Sequence, residues 1–265
     1  VDDAIDMCGT GGDASGTFNI STAASFVVAG AGVPVAKHGN RSMTSKSGSA
    51  DVLTALGVDI ALPPEKVSEC IKTIGIGFMF APSLHPAMKY AMGARKALGT
   101  RTVFNILGPL CNPAGVDRQL MGIFEGSLTD KVAKVLQKLG SKHAMVVHGY
   151  EGLDEVSTTA STKISHLKMD NTIESTAISP SDFGFKKATL DDLKGGEPEE
   201  NAVIIKNILD GTDKGKKADI VILNAAAGIF VGGKAKDWDD GIQMAREAVN
   251  SGAALDKLNQ LAAVK

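Results

Sequence analysis

The chain has 265 residues, 43% of them hydrophobic, and a formal net charge of −2 at pH 7. This length supports one large domain or two smaller ones with a substantial core. A charge so near zero excludes a global basic field that would recruit nucleic acid. The cysteines Cys8, Cys70 and Cys111 lack metal-site spacing and favour a reducing cytoplasm. We see no signal-peptide pattern, and the longest apolar run, 220–231, is too short to cross a membrane.

A glycine-rich stretch follows the first predicted strand. Residues 4–7 are predicted as a buried strand, four glycines fall within 9–16, and 20–29 are predicted as a helix. Glycines let the backbone approach an anion closely, and the unpaired N–H groups of a helix's first turn point at it. A tight turn with Asn19 as helix cap is the alternative. The density of glycine favours a phosphate site, although the stretch matches neither a Walker A loop nor GxGxxG.

Predicted strands and helices alternate along the rest of the chain. Further strands are predicted at 33–36, 76–80, 103–107, 119–124 and 144–147, and helices at 49–56, 63–73, 87–98 and 128–139. Residues 160–195 alternate polar and apolar and predict two or three antiparallel strands. Four helices follow at about 199–210, 216–231, 239–251 and 253–264. This order predicts an α/β fold, with a central, mostly parallel sheet flanked by helices.

Three polar motifs each follow a predicted strand: GTGGD with NIST, KHGNRSMTSKSGSAD, and HGYEGLDEVS. In open α/β sheets, ligands bind outside the carboxyl ends of the strands. Lys37, directly after an apolar strand, supplies a cation for a phosphate group, and a solvated strand end is the less favoured alternative. Asp154 and Glu155 are adjacent carboxylates at a turn, where both could reach Mg²⁺ completed by phosphate oxygens. On its own, such a pair is usually solvated surface.

Together with FNILGPLCNP and the segment from His85 to Arg95, these motifs closely resemble the anthranilate phosphoribosyltransferase family, in the nucleoside phosphorylase/phosphoribosyltransferase group. The resemblance runs from residue 4 to residue 264 in the family's order and spacing. It implies Mg²⁺-dependent transfer of 5-phosphoribose from phosphoribosyl pyrophosphate (PRPP) to the amine of anthranilate, releasing pyrophosphate, in the second step of tryptophan biosynthesis from chorismate. It also implies a cytoplasmic homodimer that binds neither nucleic acid nor membrane.

The same resemblance implies the site residues. The PRPP positions are Gly9, Gly12, Asp13, Thr17, Asn19, Ile20, Ser21, Thr22, Lys37, Ser45 and Ser49. The anthranilate positions are Gly9, Asn40 and Arg95, with His38, His85 and Pro109 expected to line that pocket. The metal positions are Ser21, Asp154 and Glu155. An arginine can hold the substrate carboxylate bidentately. For each histidine, packing or loop hydrogen bonding is an equal alternative. We assign no acid or base, because the reaction needs anion-stabilising donors and a well-aimed amine.

The resemblance also divides the chain. We expect an α/β PRPP-binding domain at 1–76 and 111–265, and the mid-chain part of a small helical domain at 77–110. The family begins with a further helical segment that we expect to be missing here, so that stability or activity would be reduced. Cys111 stands where the family usually has threonine.

Two alternatives remain open. A pyrimidine nucleoside phosphorylase-like enzyme would share this architecture, but we expect it to have a different phosphate loop and no GLDE-type metal site. A non-catalytic relative that binds nucleic acid would need a basic stripe and stacking aromatics, and the chain has only two tyrosines and one tryptophan.

Overall fold

The computed structural model of the protein describes residues 3–13, 15–42, 46–87, 90, 93 and 102–265. Of the predicted site residues, Ser45 and Arg95 lie outside these ranges, as does most of the predicted helix 87–98. Within the described part of the chain, no helix combines the length and apolar content needed to cross a bilayer.

A single sheet of seven strands organises the described residues. The strands are β1 (Ile5–Gly9), β2 (Val35–Gly39), β3 (Ile76–Phe80), β4 (Arg118–Gly122), β5 (His143–Gly149), β6 (Thr162–Leu167) and β7 (Ile173–Ile178). Their order is β3-β2-β1-β4-β5-β6-β7. The first five run parallel, and β6 and β7 continue the sheet antiparallel. The predicted α/β fold with a mostly parallel sheet is confirmed.

Helices cover both faces of the sheet. The described helices are α1 (Ile20–Gly30), α2 (Ser49–Ala55), α3 (Pro64–Thr73), α4 (Ala81–Leu84), α5 (Phe104–Leu107), α6 (Thr129–Lys138), α7 (Pro198–Leu209), α8 (Lys216–Val231), α9 (Trp238–Asn250) and α10 (Ala253–Ala262). The largest apolar cluster lies between the sheet and α1, α8, α9 and α10, and a smaller one lies under α6. Burial on both faces explains why the parallel strands are nearly continuous apolar runs.

Helix α8 is the buried helix predicted from the apolar run 220–231. Gly228 is what allows its close approach to the sheet, because a Cβ there would lie 2.8 Å from Val28 and 2.9 Å from the sulfur of Met7 in β1. Helix α8 is therefore packed directly against the first strand.

Two sequence predictions are corrected. The predicted strand 103–107 is instead the short helix α5, and just before it the backbone N–H of Thr102 donates to Asn105 Oδ1 at 2.9 Å. Periodicity cannot distinguish the two for so short an apolar run. The strand predicted at 33–36 begins two residues later, since Pro34 has no N–H to pair. The expected domain boundary between residues 76 and 77 lies within β3, which pairs with β2; the division into two domains stays a prediction.

Candidate active site

The polar motifs meet at the carboxyl edge of the parallel strands. Loops leaving β1, β2 and β5 converge there, and the N-terminus of α1 faces the same point. Three glycines of the first loop, Gly11, Gly12 and Gly16, have φ of 66°, 75° and 68°. This left-handed region is open to glycine at little cost, which accounts for the glycine density of the motif.

Asp154 lies across the ends of β1 and β4. Gly9 and Gly122 are register partners in those strands. A Cβ on Gly9 would lie 2.5 Å from Asp154 Oδ2, and one on Gly122 would lie 1.5 Å from the Asp154 backbone oxygen. The Gly11 N–H also donates to Asp154 Oδ2 at 2.7 Å. The two glycines thus form a cradle for this loop: a side chain at either position would displace Asp154.

Glu155 joins the metal motif to helix α1. The Ser21 N–H, in the first turn, donates to Glu155 Oε1 at 3.2 Å, where the helix dipole favours a carboxylate. Lys37 is 2% exposed, and its Nζ donates to the Met7 carbonyl at 2.5 Å and to Ser21 Oγ at 3.4 Å. The N–H groups of Ser21, a predicted PRPP position, and of Gly11 in the glycine-rich loop therefore donate to carboxylates here.

Three carboxyl groups crowd this region. Burial, reinforced by the charge of Asp13, raises the pKa of Asp154 to about 7. Burial and the charge of Asp154 raise the pKa of Glu155 well above its usual range, although Lys37 opposes the shift. Burial lowers the pKa of Lys37, and the charges of Asp6, Cys8 and Glu155 oppose the shift. Such repulsion among carboxylates is what a divalent cation would relieve.

The donor set fits Mg²⁺. Among the described residues, no group of three or more His, Cys, Asp or Glu side chains forms a complete metal site. Mg²⁺ is usually held by one or two carboxylates together with substrate phosphates and water. Asp154 and Glu155, with the Ser21 hydroxyl beside Lys37, offer that incomplete oxygen set in a cradle built from glycine.

Asn19 connects three segments around the glycine-rich loop. Its side chain donates to the Ser47 carbonyl at 3.0 Å and accepts from Ser47 Oγ at 3.1 Å and from Asn201 Nδ2 at 3.0 Å. It makes no side-chain cap of α1, so the capping alternative does not describe it. Thr22 Oγ1 donates to Ser49 Oγ at 3.1 Å, which adds a second link between α1 and α2.

The C-terminal half of the chain closes over the same loop. The Phe18 N–H donates to the Leu193 carbonyl at 3.2 Å, and the Gly195 N–H donates to Gly16 at 3.0 Å. Thr17 forms a β-bridge with Lys194 between these bonds. Its Oγ1 lies 3.2 Å from Ser15 Oγ, which donates to Asp13 Oδ2 at 2.7 Å. Ile20 is buried at the start of α1.

Asp51 organises the loop after β2. Its carboxylate accepts from the Ser42 N–H at 3.0 Å, the Gly48 N–H at 2.9 Å and Arg41 Nη1 at 2.8 Å. Burial opposes its ionisation, but these hydrogen bonds prevail and the pKa of Asp51 is lowered. Asn40 is exposed at the start of this loop, and its carbonyl accepts from the Ala50 N–H at 3.2 Å.

The predicted acceptor residues surround the end of β2. His38 and His85 face each other with Nε2 atoms 3.1 Å apart. Burial and the neighbouring His85 lower the pKa of His38 to about 4, so His38 is neutral at pH 7. The carbonyl of Pro109 accepts from Gln119 Nε2 at 2.7 Å, which ties the segment after α5 to β4.

Several residues that hold the site were missed by sequence reasoning. Asn201 and Asn224 lie in the C-terminal helices, far from any motif, and Gln119 lies inside β4. Asp51 ends the motif KHGNRSMTSKSGSAD, in the first turn of α2, but was given no role. Asn224 gave a signal, because it is a polar residue within an apolar run. Asp51 gave a weaker one, since it stands three residues after Gly48 at a helix start.

Known proteins share this arrangement. The glycosyl transferase family, in its a/b domain, matches residues 1–255. The class is therefore a glycosyl transferase of α/β fold. Anthranilate phosphoribosyltransferase of Methanocorpusculum labreanum is 55% identical over 257 residues, covering 97% of this chain and 75% of the relative.

Solved structures agree. Anthranilate phosphoribosyltransferase from Thermus thermophilus has a TM-score of 0.94 and 44% identity, covering 99% of this chain and 78% of that one. The Saccharomyces cerevisiae enzyme in complex with PRPP and Mg has a TM-score of 0.90 and 33% identity, covering 98% of this chain and 73% of that one. The Saccharomyces cerevisiae enzyme in complex with 4-fluoroanthranilate has a TM-score of 0.87 and 30% identity, and the match covers 98% of this chain and 73% of that one. Within the glycosyl transferases, the chain belongs to the anthranilate phosphoribosyltransferase family, as its motifs indicate.

Proposed function

We propose that this protein transfers 5-phosphoribose from PRPP to the amine of anthranilate, with release of pyrophosphate. The observation that carries the proposal is the convergence of the Asp154–Glu155 loop on the glycine-rich loop and on α1, in a chain of this family. The relatives are phosphoribosyltransferases by name, which favours this activity over phosphorolysis or nucleic-acid binding.

In this reaction the bond between ribose C1 and pyrophosphate breaks, and pyrophosphate leaves with the electron pair. A bond forms between C1 and the anthranilate nitrogen, which loses a proton. Positive charge develops on the ribose ring and negative charge on the leaving group. Fixed donors aimed at that negative charge stabilise the transition state more than donors in water do. Lys37 is suited to this role, because it is buried and held by the Met7 carbonyl and Ser21.

Asp154, Glu155 and the Ser21 hydroxyl would hold Mg²⁺ next to the pyrophosphate of PRPP. When bound, the ion offsets charge on the pyrophosphate oxygens. The chain's own contribution is placement: the Gly11 and Ser21 N–H groups orient the two carboxylates, and the Gly9–Gly122 cradle fixes the loop. Gly12, Asp13, Thr17, Asn19, Thr22, Ser45 and Ser49 would contact PRPP around it.

Anthranilate would bind beyond the end of β2. Arg95 would hold its carboxylate and Asn40 would hydrogen-bond the acid or the amine. The neutral His38, paired with His85, and the segment at Pro109 would form the wall around the ring. We extend the proposal to a homodimer in the cytoplasm that depends on Mg²⁺.

The test follows PRPP-dependent loss of anthranilate fluorescence with and without Mg²⁺. We expect turnover that stops when EDTA removes Mg²⁺ and that collapses in Arg95→Ala. Arg246→Ala is the matched control, because that arginine lies on α9 over the Phe185 ring and should leave turnover unchanged. Phosphorolysis of thymidine without Mg²⁺, or no turnover of anthranilate by a folded protein, would contradict the proposal.

A further inference from the structure

A buried asparagine in α8 contacts the backbone next to the metal motif. Asn224 is 0% exposed, and the residues on both sides of it in the helix are buried and apolar. Its Oδ1 accepts from the Val156 N–H at 2.9 Å, and its Nδ2 donates to the Val156 carbonyl at 2.8 Å and to the Ile220 carbonyl at 2.9 Å. One amide thus pairs both polar backbone groups of the residue that follows Glu155.

Burying an amide costs free energy unless its hydrogen bonds are made, and removing one partner leaves the other unpaired. An apolar residue would satisfy the helix equally well at this position. The two bonds to Val156 are therefore the reason that an amide suits position 224, and they join a loop to a helix 68 residues later in the chain.

Helix α8 gives the loop a rigid reference. Through Gly228 it touches Met7 of β1, the strand that ends at Gly9 in the cradle. A second anchor lies inside the loop, where Glu151 accepts hydrogen bonds from the hydroxyl groups of Ser157 and Thr159. The carboxylates of Asp154 and Glu155 lie between these two anchors.

We propose that Asn224 is a positioning residue for the metal site: by holding Val156, it fixes the loop that carries Asp154 and Glu155, the two carboxylates that would hold a divalent cation. This inference rests on the proposed function. Partners outside the ligand shell typically contribute about 10- to 100-fold in metal affinity. Asn224 touches neither substrate nor metal and acts only through the loop backbone.

The test measures cation affinity directly, with Mn²⁺ as the paramagnetic probe in the presence of PRPP, by electron spin resonance. Asn224→Leu keeps the size of the side chain but leaves the Val156 N–H and carbonyl unpaired. We expect Mn²⁺ to bind about tenfold or more weakly, and the Mg²⁺ concentration for half-maximal turnover to rise by a similar factor. The KM for anthranilate should not change.

Ile229→Ala is the matched control, because Ile229 is equally buried in α8. It should lower the melting temperature without weakening Mn²⁺ binding. Asn224→Asp keeps an acceptor for the Val156 N–H but loses both donated bonds; it should also weaken Mn²⁺ binding and serves if the leucine variant does not fold. Unchanged Mn²⁺ affinity in a folded Asn224 variant would overturn this inference alone. A wild-type protein that binds no Mn²⁺ with PRPP would overturn the proposed function as well.

Discussion

Gly9 and Gly122 face each other in register across β1 and β4, and neither could carry a Cβ without striking Asp154. The carboxylate loop rests on two strand ends at once, so its position follows from the sheet itself. A site built on strand ends is more rigid than one built on loops alone.

Replacing one of these glycines should therefore move the loop. In Gly122→Ala the new Cβ would lie 1.5 Å from the Asp154 backbone oxygen, and the loop must shift. We expect kcat/KM for PRPP to fall by about 100-fold, since a misplacement near 1 Å can cost that much. Gly215→Ala is the control, because its Cβ would meet only the side chain of Asp213 at 3.2 Å. Steady-state kinetics would refute the expectation if Gly122→Ala retained wild-type activity.

Asn201→Ala should weaken PRPP binding through Asn19. Asn201 is 1% exposed; it donates to Asn19 at 3.0 Å and accepts from the Gly196 N–H at 2.8 Å. Loss of these partners should reduce the free energy of unfolding by about 1–3 kcal/mol. It should also raise the KM for PRPP more than that for anthranilate. Urea unfolding and initial rates measure both effects. Asn207→Ala, an exposed position on the same helix, should change neither, and equal effects in the two variants would refute the link.

Asp51→Asn should loosen the backbone at Ser42 and Gly48. An amide has one acceptor oxygen and a donor group that faces the N–H groups of Ser42 and Gly48. Because the native pKa of Asp51 is lowered, its stabilising effect is present above its unfolded pKa and is lost as the pH falls through the folded value. We expect lower turnover at pH 7, with little change from Asp59→Asn in an exposed turn. Thermal melts measure stability and initial rates measure turnover. Equal values of both for Asp51→Asn and the wild type would refute this role.

Acidic pH should destabilise the fold through a pair of histidines on the neighbouring strands β5 and β6, far from the carboxyl ends of the parallel strands. His143 and His166 have Nε2 atoms 2.8 Å apart. Burial and the neighbouring His143 lower the pKa of His166 to about 4, with Lys168 adding to the shift and Glu174 opposing it. Burial and Arg118 lower the pKa of His143.

Below the unfolded pKa of about 6.5, the unfolded chain binds more protons than the folded one, so stability declines as the pH falls from about 6.5 towards 4. In His166→Gln this decline should be shallower. Chemical unfolding at several pH values measures it, and parallel pH profiles for the variant and the wild type would contradict the assignment.

The fold could be predicted from the sequence because the buried strands are mostly apolar runs, and β1, β2 and β5 each end in a polar motif. The boundaries needed more. Residues 103–107 are predicted as a strand because a short apolar run has no period of its own. In the structure Phe104–Leu107 is a helix, preceded by the bond from the Thr102 N–H to Asn105.

The motif residues of the site could be named in advance, but their supports could not. The bond from Asn201 to Asn19 and those from Asn224 to Val156 depend on tertiary packing between segments that share no local pattern. Likewise, nothing in the sequence indicated that the N–H groups of Gly11 and Ser21 would donate hydrogen bonds to carboxylates.

The bond from Asn201 to Asn19 spans 182 positions, so the first motif to leave the ribosome is among the last to be completed. Until α8 follows, the nascent chain carries β1 and α1 without the helix that buries them. Contacts so distant in sequence slow folding and leave apolar surface open to aggregation meanwhile. Pulsed hydrogen exchange during refolding should accordingly show the Val156 amide protected no earlier than those of α8; earlier protection would mean that the loop forms on its own.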